Sequence, residues 1–367
     1  MTLASLIERS QKNSEAWKYT SLAALAKVPY QSNIEGYGML RASAKPLGKE
    51  QPHYLVFING VWQKDQSQFA DLPSGFIEGD TVHGYRLKLA GQTCLVTAPV
   101  ELIFINAPEK QALEVTTKIH IELGCSGRLT LMERHESQSE HPVAHMVETT
   151  IELASQAKLV HGKIAGPFAA AHLATTEVSV AEGAYYDNFT LLCGGKLVRN
   201  EVNVTLSNEL AQCVLNGVML AQGDDHIDTT TCMKHAAPNC SSREVYKSVI
   251  TDKARAVFKG KILVEKAAQK SDGHQLCRAL LLSDQAEMDA KPELEIYADD
   301  VKCSHGCSVG DLDADALFYL RARGLSEAQA RALLVRGFID EIVDEIRVDD
   351  WRQYCRQRIE EWLNDCV

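Results

Sequence analysis

The stretch Glu295-Ile-Tyr-Ala-Asp-Asp-Val-Lys-Cys-Ser-His-Gly-Cys307 divides this sequence into two parts. Short apolar or alternating runs, which are typical of β-strands, recur before it, and helical apolar spacing follows it. Within the stretch, Cys303, His305 and Cys307 occupy alternate positions. Alternate side chains of an extended strand share one face, roughly 6–7 Å apart. The stretch therefore predicts a last strand that presents two thiols and an imidazole on the same side.

These three side chains form a candidate metal or cluster site. Thiolate and imidazole are ligands that suit iron, zinc and copper. However, three ligands on one strand do not converge easily on a single ion, and structural zinc normally takes four ligands from paired knuckles. The residues alone leave two interpretations open: contact with a metal or cluster, or small side chains buried in a core.

The region 86–310 carries the strand pattern. The alternation of Val202, Val204 and Leu206 fits a strand with one buried face and one solvated face. Long amphipathic helix patterns are absent from the sequence here, which leaves a sandwich, a barrel or a solenoid. Because we find no fixed-period repeat, periodicity does not choose among these. The predicted strands are Glu101–Asn106, Leu113–Leu123, Arg128–Arg134, Val147–Leu153, Val178–Ala181, Val198–Leu206, Gln212–Leu220, Ala256–Val264, Arg278–Leu282 and Glu293–Ala298.

The first part of the chain is mixed. Leu3, Leu6 and Ile7 predict a helix that Ala16 and Trp17 extend. Further on, Asn59-Gly60 lies between two apolar runs and predicts the turn of a β-hairpin over residues 53–62.

The last part, residues 311–367, predicts helices. Asp313 is a suitable N-cap for a helix that ends at Gly324, and Ser326 with Gln329 forms a capping box for the next helix. This helix and the last one are expected to bury apolar stripes at helical spacing. The stripes are Ala330, Leu333, Leu334, Phe338, Ile342 and Ile346, then Trp351, Cys355, Ile359 and Trp362.

The composition is that of an ordinary globular protein and excludes some classes of function. The chain has 367 residues, 45% hydrophobic and 24% charged, enough for two or three domains or for one solenoid with appendages. A formal net charge of −11, without a run of Lys and Arg, argues against a nucleic-acid surface. The start lacks a signal-peptide pattern and no apolar stretch is long enough to span a membrane, so we expect a cytoplasmic protein.

The eleven cysteines do not fit a disulfide framework, because their number is odd and their spacing irregular. Most lie in apolar, strand-like segments, where a buried and unreactive thiol is the favoured interpretation. Among them are Cys94, Cys193, Cys213 and Cys277.

Motifs of common enzymes are absent from the sequence. Gly194-Gly-Lys196 lacks the rest of a P-loop, so we do not expect this chain to hydrolyse ATP. There is no G-x-S-x-G elbow, dinucleotide loop, C-x-x-C or H-E-x-x-H. His226 with Asp224, Asp225 and Asp228 predicts a hydrogen-bonded corner or, less readily, an oxygen-ligand metal site. We interpret His235, Cys240 and Ser242 as internal hydrogen-bonding and packing residues.

Several stretches resemble the SufD branch of the SufB/SufD family, which belongs to the SUF iron–sulfur cluster assembly system. The resemblance is most specific in Ala298-Asp-Asp-Val-Lys-Cys-Ser-His-Gly306 and Leu317-Phe-Tyr-Leu-Arg-Ala-Arg-Gly324, and it is specific from about Glu182 to Ile346. Further matches are Trp17–Leu22, Gly223–Thr231, His235–Ser242, Tyr246–Lys247, Val257–Lys261, Ala268–Asp272 and Leu280–Ser283.

The resemblance implies a mainly β fold with helical ends. It selects a right-handed parallel β-helix as the core at 86–310, with an N-terminal α/β lobe at 1–85 and a C-terminal helical domain at 311–367. The N-terminal lobe is variable in the family and short here.

The resemblance also implies a function. It makes the chain a non-catalytic subunit of a scaffold complex that pairs its β-helix with SufB and carries the ATPase SufC on its C-terminal helices. The open edge of a solenoid would also permit a homodimer when SufB is absent, and the sequence does not decide this. Cys303 and His305 match family residues near the SufB interface that help to hold a nascent cluster. Cys307 departs from the family pattern and is either a spare ligand or, as we favour, a small buried side chain. The residues assigned to ATPase binding are Leu317, Phe318, Tyr319, Arg321, Arg323 and Phe338.

The implied cofactors belong to the complex. The cluster is transient there, ATP is held by the partner alone, and nothing is bound tightly by the isolated chain. Two alternatives remain: a SufB-like primary scaffold that retains a cluster by itself, and a freestanding β-solenoid enzyme acting on polysaccharide. The second requires exposed carboxylate pairs, which the sequence does not show.

Overall fold

The computed structural model describes residues 2–32, 45–47, 53–69, 72–80, 84–89, 96, 98–108, 110–139 and 141–366. Its helices are α1 (Leu3–Lys12), α2 (Ala314–Ala322), α3 (Glu327–Val343) and α4 (Asp349–Cys366), with a short 3₁₀ turn at Leu25–Lys27. Its strands are β1 (Gln31–Ser32), β2 (His53–Ile58), β3 (Val61–Gln68), β4 (Ile77–Asp80), β5 (Gly84–Leu89), β6 (Val100–Asn106), β7 (Leu113–Leu123), β8 (Arg128–Ser137), β9 (Val143–Leu153), β10 (Lys158–Ala165), β11 (Ala171–Val180), β12 (Tyr185–Cys193), β13 (Leu197–Leu206), β14 (Gln212–Ala221), β15 (His226–His235), β16 (Ser241–Ile250), β17 (Arg255–Val264), β18 (Asp272–Leu281), β19 (Glu287–Ile296) and β20 (Lys302–Gly310).

The strands form a parallel β-solenoid, as predicted. One sheet has the order β19-β17-β15-β13-β11-β9-β7-β5-β4, and the other has the order β20-β18-β16-β14-β12-β10-β8-β6-β2-β3. From β5 onward, each strand pairs in parallel with the strand two places along the chain, so the chain alternates between the sheets. Only the hairpins β2–β3 and β4–β5 are antiparallel among the described pairs.

The length of a solenoid turn varies along the chain. Ala171 pairs with Leu197, which is 26 residues later, whereas Arg255 pairs with Glu287, which is 32 residues later. Corner loops of different length absorb the difference without disturbing the register of the strands. A sequence with such turns shows no fixed period, although the fold is a repeat.

The core lies between the two sheets and follows the alternation of each strand. One inward row runs through Leu159, Tyr186, Cys213 and Ser242 on successive strands. Each strand therefore buries its inner side chains against those of the strands before and after it. Among the described strands, the first and last of the stack have a neighbour on one side alone.

Helices cover the outer faces of both sheets. Helices α3 and α4 pack on the second sheet through an apolar cluster that includes Val218, Val249, Ile339 and Trp351. On the other side, α1 and the segment after it cover the outer face of the first sheet, where Leu6 lies in one cluster with residues of β9, β11 and β13.

The local signals at the chain ends are mostly confirmed. Asn59 and Gly60 have φ of 48° and 81° and form the turn between β2 and β3, as expected for an Asn-Gly hairpin. The Asp313 side chain accepts a hydrogen bond from the Ala316 N–H, and Ser326 and Gln329 form the predicted capping box. The apolar stripe of α4 is buried as predicted.

Two helix predictions are wrong in detail. Helix α1 ends at Lys12, with Asn13 as its C-cap, so Trp17 lies beyond the helix. The stripe predicted for α3 is largely confirmed, since Ala330, Ile342 and Ile346 are buried, but Leu333 is 47% exposed. Val335, Ile339 and Val343 are buried as well, so the buried face is centred to one side of the predicted stripe. The Lys247 ammonium on β16 donates a hydrogen bond to the Phe338 carbonyl of this helix at 2.6 Å.

The interpretation of the buried cysteines is confirmed where the structure describes them. Cys193, Cys213 and Cys277 are buried, and burial raises the pKa of Cys193 to about 12 and that of Cys213 well above its usual value. Cys94 lies outside the described residues. No helix in the described part of the chain is long and apolar enough to cross a membrane.

Candidate functional site

Strand β20 is the last strand of its sheet, and within the described residues it pairs only with β18. On its other edge, the backbone N–H and C=O groups have no strand among the described residues to pair with. Such an edge is a template for pairing with another chain. Strand β19 ends the first sheet at the same end of the solenoid, so this end presents two free edges side by side.

Cys303, His305 and Cys307 lie at alternate positions of β20, opposite Gly273, Gln275 and Cys277 of β18. All three positions on β18 are buried and face the solenoid interior. The two thiols and the imidazole therefore share the inward face of the last turn. Because no further turn covers them, Cys303 is half-buried and the other two are exposed.

Cys303 is the least accessible of the three. It packs against the edge of the solenoid core, and burial raises the pKa of its thiol, while the backbone N–H of Gly273 opposes the rise. Cys303 is therefore mainly protonated near pH 7 in the isolated chain. A metal ion or a partner that excludes water is needed to favour its thiolate.

Cys307 is exposed, which overturns the interpretation as a small buried side chain. The physical reason is the position of β20 at the end of the stack. The thiol of Cys277, directly opposite, donates a hydrogen bond to Cys307 and lowers its pKa to about 7. Of the two thiols on this face, Cys307 therefore ionises to the thiolate more readily near pH 7.

We expect iodoacetamide to alkylate Cys307 faster than Cys303 at pH 7, because only the thiolate reacts and only Cys307 is both acidic and exposed. Peptide mass mapping over time measures both rates in one sample. Cys277→Ala removes the hydrogen-bond donor and should move the pH midpoint of Cys307 labelling toward that of an ordinary thiol. An unchanged midpoint in this variant would show that Cys277 does not set the acidity of Cys307.

Apolar side chains surround this end of the solenoid. Ile296 ends β19 and Tyr297 follows it, and they are 40% and 63% exposed. Val309 on β20 is 43% exposed. Large exposed apolar groups beside free strand edges are typical of a surface that another protein covers.

A second exposed apolar surface lies on α2, which buries no residue. Phe318 and Tyr319 are 74% and 56% exposed. The Arg323 guanidinium lies 5.1 Å from the centre of the Tyr319 ring, and Arg321 pairs with Glu327 at 3.4 Å. We call Phe318, Tyr319, Arg321 and Arg323 the α2 surface.

Two residues assigned to ATPase binding from the sequence do not belong to this free surface. Leu317 is half-buried. Phe338 is also half-buried, and the ammonium of Lys247 lies 4.8 Å from its ring centre. Phe338 therefore holds α3 on the solenoid.

The acidic corner around His226 is occupied by internal hydrogen bonds. Asp225 accepts from the N–H groups of Gly195 and Gln222 at 2.9 and 3.0 Å, and Asp224 pairs with Lys196. Asp228 is buried and pairs with Arg199 and Thr20. This is the hydrogen-bonded corner that the sequence favoured.

His235 is also internal, and its Nε2 lies 2.8 Å from the Ser242 hydroxyl.

Sequence reasoning missed a buried group of ionisable residues in the middle of the solenoid. Glu133, His135, His145, His161 and His172 come from four strands and meet inside the fold. They are far apart in the chain and form no spacing motif. The one available signal was that these polar residues interrupt otherwise apolar strand segments.

Comparisons with known proteins place this architecture. The family model described as "SUF system FeS cluster assembly, SufBD core domain" matches residues 104–338. The iron–sulfur cluster assembly protein SufD of Escherichia coli is 34% identical over 242 residues, which cover 65% of this chain and 57% of that protein. A SufBD family protein of Synechocystis is 27% identical over 389 residues, covering 94% of this chain and 86% of that protein. The chloroplastic protein ABCI7 of Arabidopsis thaliana is 28% identical over 72% of this chain and 58% of that protein.

The fold and the edge strand define a parallel β-solenoid protein with a Cys/His-bearing open end. The chain belongs to the SufBD family of the SUF iron–sulfur cluster assembly system and is a homologue of SufD. The matched part spans little more than half the length of the Escherichia coli and Arabidopsis relatives.

Proposed function

We propose that this protein is the SufD-type, non-catalytic subunit of a SufB–SufC–SufD scaffold on which iron–sulfur clusters are assembled. Its solenoid end pairs with a SufB-type subunit, and its α2 surface binds a SufC-type ATPase. Cys303 and His305 contribute to the nascent cluster at the SufB interface. The observation that carries the proposal is their position on the inward face of a strand whose outer edge is free.

The edge supports pairing with a similar solenoid. A second solenoid that aligns its own end strands with β19 and β20 satisfies their backbone groups and covers Ile296, Tyr297 and Val309. Covering these side chains removes apolar area from water, which favours association. A second copy of this chain is the natural substitute when the SufB-type subunit is absent.

The side chains at this edge form half of a ligand set. Iron–sulfur clusters are bound by thiolates, and imidazole replaces thiolate in some centres. Cys303 and His305 supply one ligand of each kind, and Cys307 offers a further acidic thiol. A cluster held partly by an imidazole and completed by a partner is bound less firmly than one with four thiolates from one chain. That property suits assembly and transfer.

A SufB-like primary scaffold is the alternative, and it makes a different prediction. The isolated chain, reconstituted with iron and sulfide, would then retain a cluster in stoichiometric amount. We expect the isolated chain to lose its iron on a desalting column and to keep it only in complex with a SufB-type subunit.

The cluster role is tested by His305→Ala and Cys303→Ala in a strain that depends on this assembly system. We expect each variant to lower the activity of a cluster-dependent enzyme at least about tenfold, because the loss of one ligand strongly weakens the binding of a metal or cluster. Ser308→Ala is the control, since Ser308 is exposed on the opposite face of β20. Undiminished cluster formation in variants that still join the complex would remove this site from the mechanism.

The ATPase role is tested by the double variant Phe318→Ala, Tyr319→Ala. One aromatic residue at the centre of an interface commonly contributes about 2 kcal/mol or more, so we expect binding of the ATPase to weaken at least about thirtyfold even if only one of the two is central. Both side chains are exposed, so the stability of the fold should change by less than about 0.5 kcal/mol. Co-purification with the SufB-type subunit serves as the internal control and should persist. Retention of the ATPase at wild-type affinity would move its binding site elsewhere.

A further inference from the structure

Three histidines meet inside the solenoid, remote from the β20 edge. His145 on β9 and His172 on β11 are direct register partners in the first sheet, and His135 reaches them from β8 of the second sheet. Their ligand nitrogens all lie within 4.8 Å of one another. Each residue is at most 1% exposed. We call these residues the histidine cluster.

The spacing of the cluster suits coordination of one ion. His145 Nδ1 and His172 Nδ1 are 3.3 Å apart. Two nitrogens bound to one tetrahedral zinc ion at about 2.0–2.1 Å are separated by roughly 3.3–3.4 Å. The third ligand nitrogen lies within 4.8 Å of both.

Two ring nitrogens of the cluster lack a hydrogen-bond partner among the described residues. These are His135 Nδ1 and His172 Nε2. A buried polar atom without a partner costs about 1–3 kcal/mol, and native structures usually contain a reason for one. A metal ion that binds His135 through Nδ1 gives this nitrogen a partner.

The surroundings of the cluster resemble those of a metal site. Glu133 Oε2 lies 3.2 Å from His135 Nε2, so a carboxylate orients the ring through one nitrogen and leaves Nδ1 facing the cluster. Such carboxylate–histidine pairs are the usual support of a histidine ligand. Phe104 stacks on His135 at 4.5 Å and Phe168 on His172 at 4.7 Å, which fixes both rings and excludes water.

We propose that His135, His145 and His172 bind one first-row transition-metal ion, of the Zn²⁺ or Fe²⁺ class, inside the solenoid. The ion takes three neutral imidazoles and leaves a fourth position for water. This site is independent of the cluster role of Cys303 and His305.

The electrostatics of the interior are compatible with an ion at this place. Neutral imidazole, the form of histidine that binds a metal through its lone pair, is favoured for all three rings by their burial. Glu133 supplies a buried negative charge that favours the ion. Lys163, whose ammonium donates to Asn200 Oδ1 at 3.0 Å, supplies the opposing positive charge.

His161 is excluded as a ligand. Its Nδ1 lies 2.9 Å from the Tyr186 hydroxyl and its Nε2 lies 3.3 Å from Glu133. Nδ1 is therefore hydrogen-bonded, and Nε2 makes an ion-pair contact with the Glu133 carboxylate without hydrogen-bond geometry.

The test uses the full chain with Cys303→Ser and Cys307→Ser, which removes the edge thiols. The protein is produced in medium supplemented with Zn²⁺ or Co²⁺, so that the ion is present while the solenoid folds around it. Bound metal is then measured by mass spectrometry after desalting. We expect about one ion per chain, and a cobalt absorption spectrum with d–d bands but without a thiolate charge-transfer band.

Substitutions identify the ligands. His145→Gln and His172→Gln should each lower the bound metal at least about tenfold, and Glu133→Gln should weaken binding about 10–100-fold. His235→Gln is the matched control, because His235 is equally buried but lies outside the cluster. It should retain the ion.

Three results would overturn the proposal: no bound ion in the loaded chain, full retention of the ion in His172→Gln, or a thiolate band in the cobalt spectrum. If the cluster variants fail to fold, the cobalt spectrum of the chain with all three histidines still tests whether the ion is bound by nitrogen ligands without thiolate.

Discussion

Arg199→Met is expected to lower the free energy of unfolding by about 3–5 kcal/mol, because it leaves a buried carboxylate without its counter-ion. Arg199 and Asp228 are 3% and 1% exposed and form an ion pair on the outer face of the first sheet. Few single substitutions in this chain should cost more.

The loss of stability in Arg199→Met extends to the N-terminal segment, which Arg199 holds against the first sheet. Its guanidinium lies 4.2 Å from the centre of the Trp17 ring and donates to the Ala16 carbonyl at 3.3 Å. Thr20 bonds to Asp228 from the same segment. The family-like stretches at Trp17–Leu22 and Gly223–Thr231 therefore meet at one ion pair, although about 200 residues separate them in the sequence.

Denaturant unfolding with limited proteolysis of the N-terminal segment checks both effects. Arg255→Met is the matched control in the same sheet. Its ion pair with Asp289 is about one-third exposed, so its loss should cost no more than about 1 kcal/mol. Equal losses of unfolding free energy in the two variants would show that the buried Arg199 pair contributes no more to stability than the partly exposed Arg255 pair.

Glu244→Gln is expected to stabilise the protein at alkaline pH by about 3 kcal/mol and to have little effect at pH 4.5. Glu244 is fully buried in the solenoid, where it accepts hydrogen bonds from Thr231 at 2.7 Å and Gln275 at 3.3 Å. Burial raises its pKa to about 7, against 4.5 in the unfolded chain.

The direction of this pH effect on stability follows from the two pKa values of Glu244. Between pH 4.5 and 7 the folded state binds the proton that the unfolded state has lost, so stability from this group is complete below pH 4.5 and falls as pH rises through 7. Glutamine is neutral at every pH in this range, so the variant does not lose this stability as pH rises. The difference in unfolding free energy between wild type and variant, measured from pH 4.5 to 9, isolates the group. Glu209→Gln at an exposed turn is the control, and a difference independent of pH for Glu244→Gln would contradict the account.

Local signals predicted the ends of the chain better than its middle. The Asn59-Gly60 hairpin and the caps at Asp313 and Ser326 depend on a few neighbouring residues, so a short sequence determines them. The buried face of α3 depends on how the helix packs against the second sheet, and the sequence of the helix does not contain that information.

Several strands that escaped prediction have polar interiors. Strands β10 and β12 point His161, Lys163, Asn188 and Thr190 into the solenoid, where they bond to one another or to neighbouring strands. These residues break the apolar alternation on which strand prediction rests. The choice of a solenoid came from resemblance alone, since turns of unequal length hide the repeat.

The edge site was partly accessible from sequence. The spacing of Cys303, His305 and Cys307 is enough to place them on one face, but their exposure depends on β20 being the last strand. The acidity of Cys307 depends on Cys277, which lies 30 residues away in the sequence and opposite in the structure. The histidine cluster had no sequence signature, because only the winding of the solenoid brings its members together.

The central claim is that the open end and the α2 surface recruit two different partners. The most direct test is to tag this chain, co-express it with the genes that neighbour its own, and determine the masses and stoichiometry of the proteins that co-purify. The account predicts a complex that contains one SufB-like subunit and two ATPase subunits per copy of this chain. A chain that purifies without either partner would contradict the account and leave only the fold and the family.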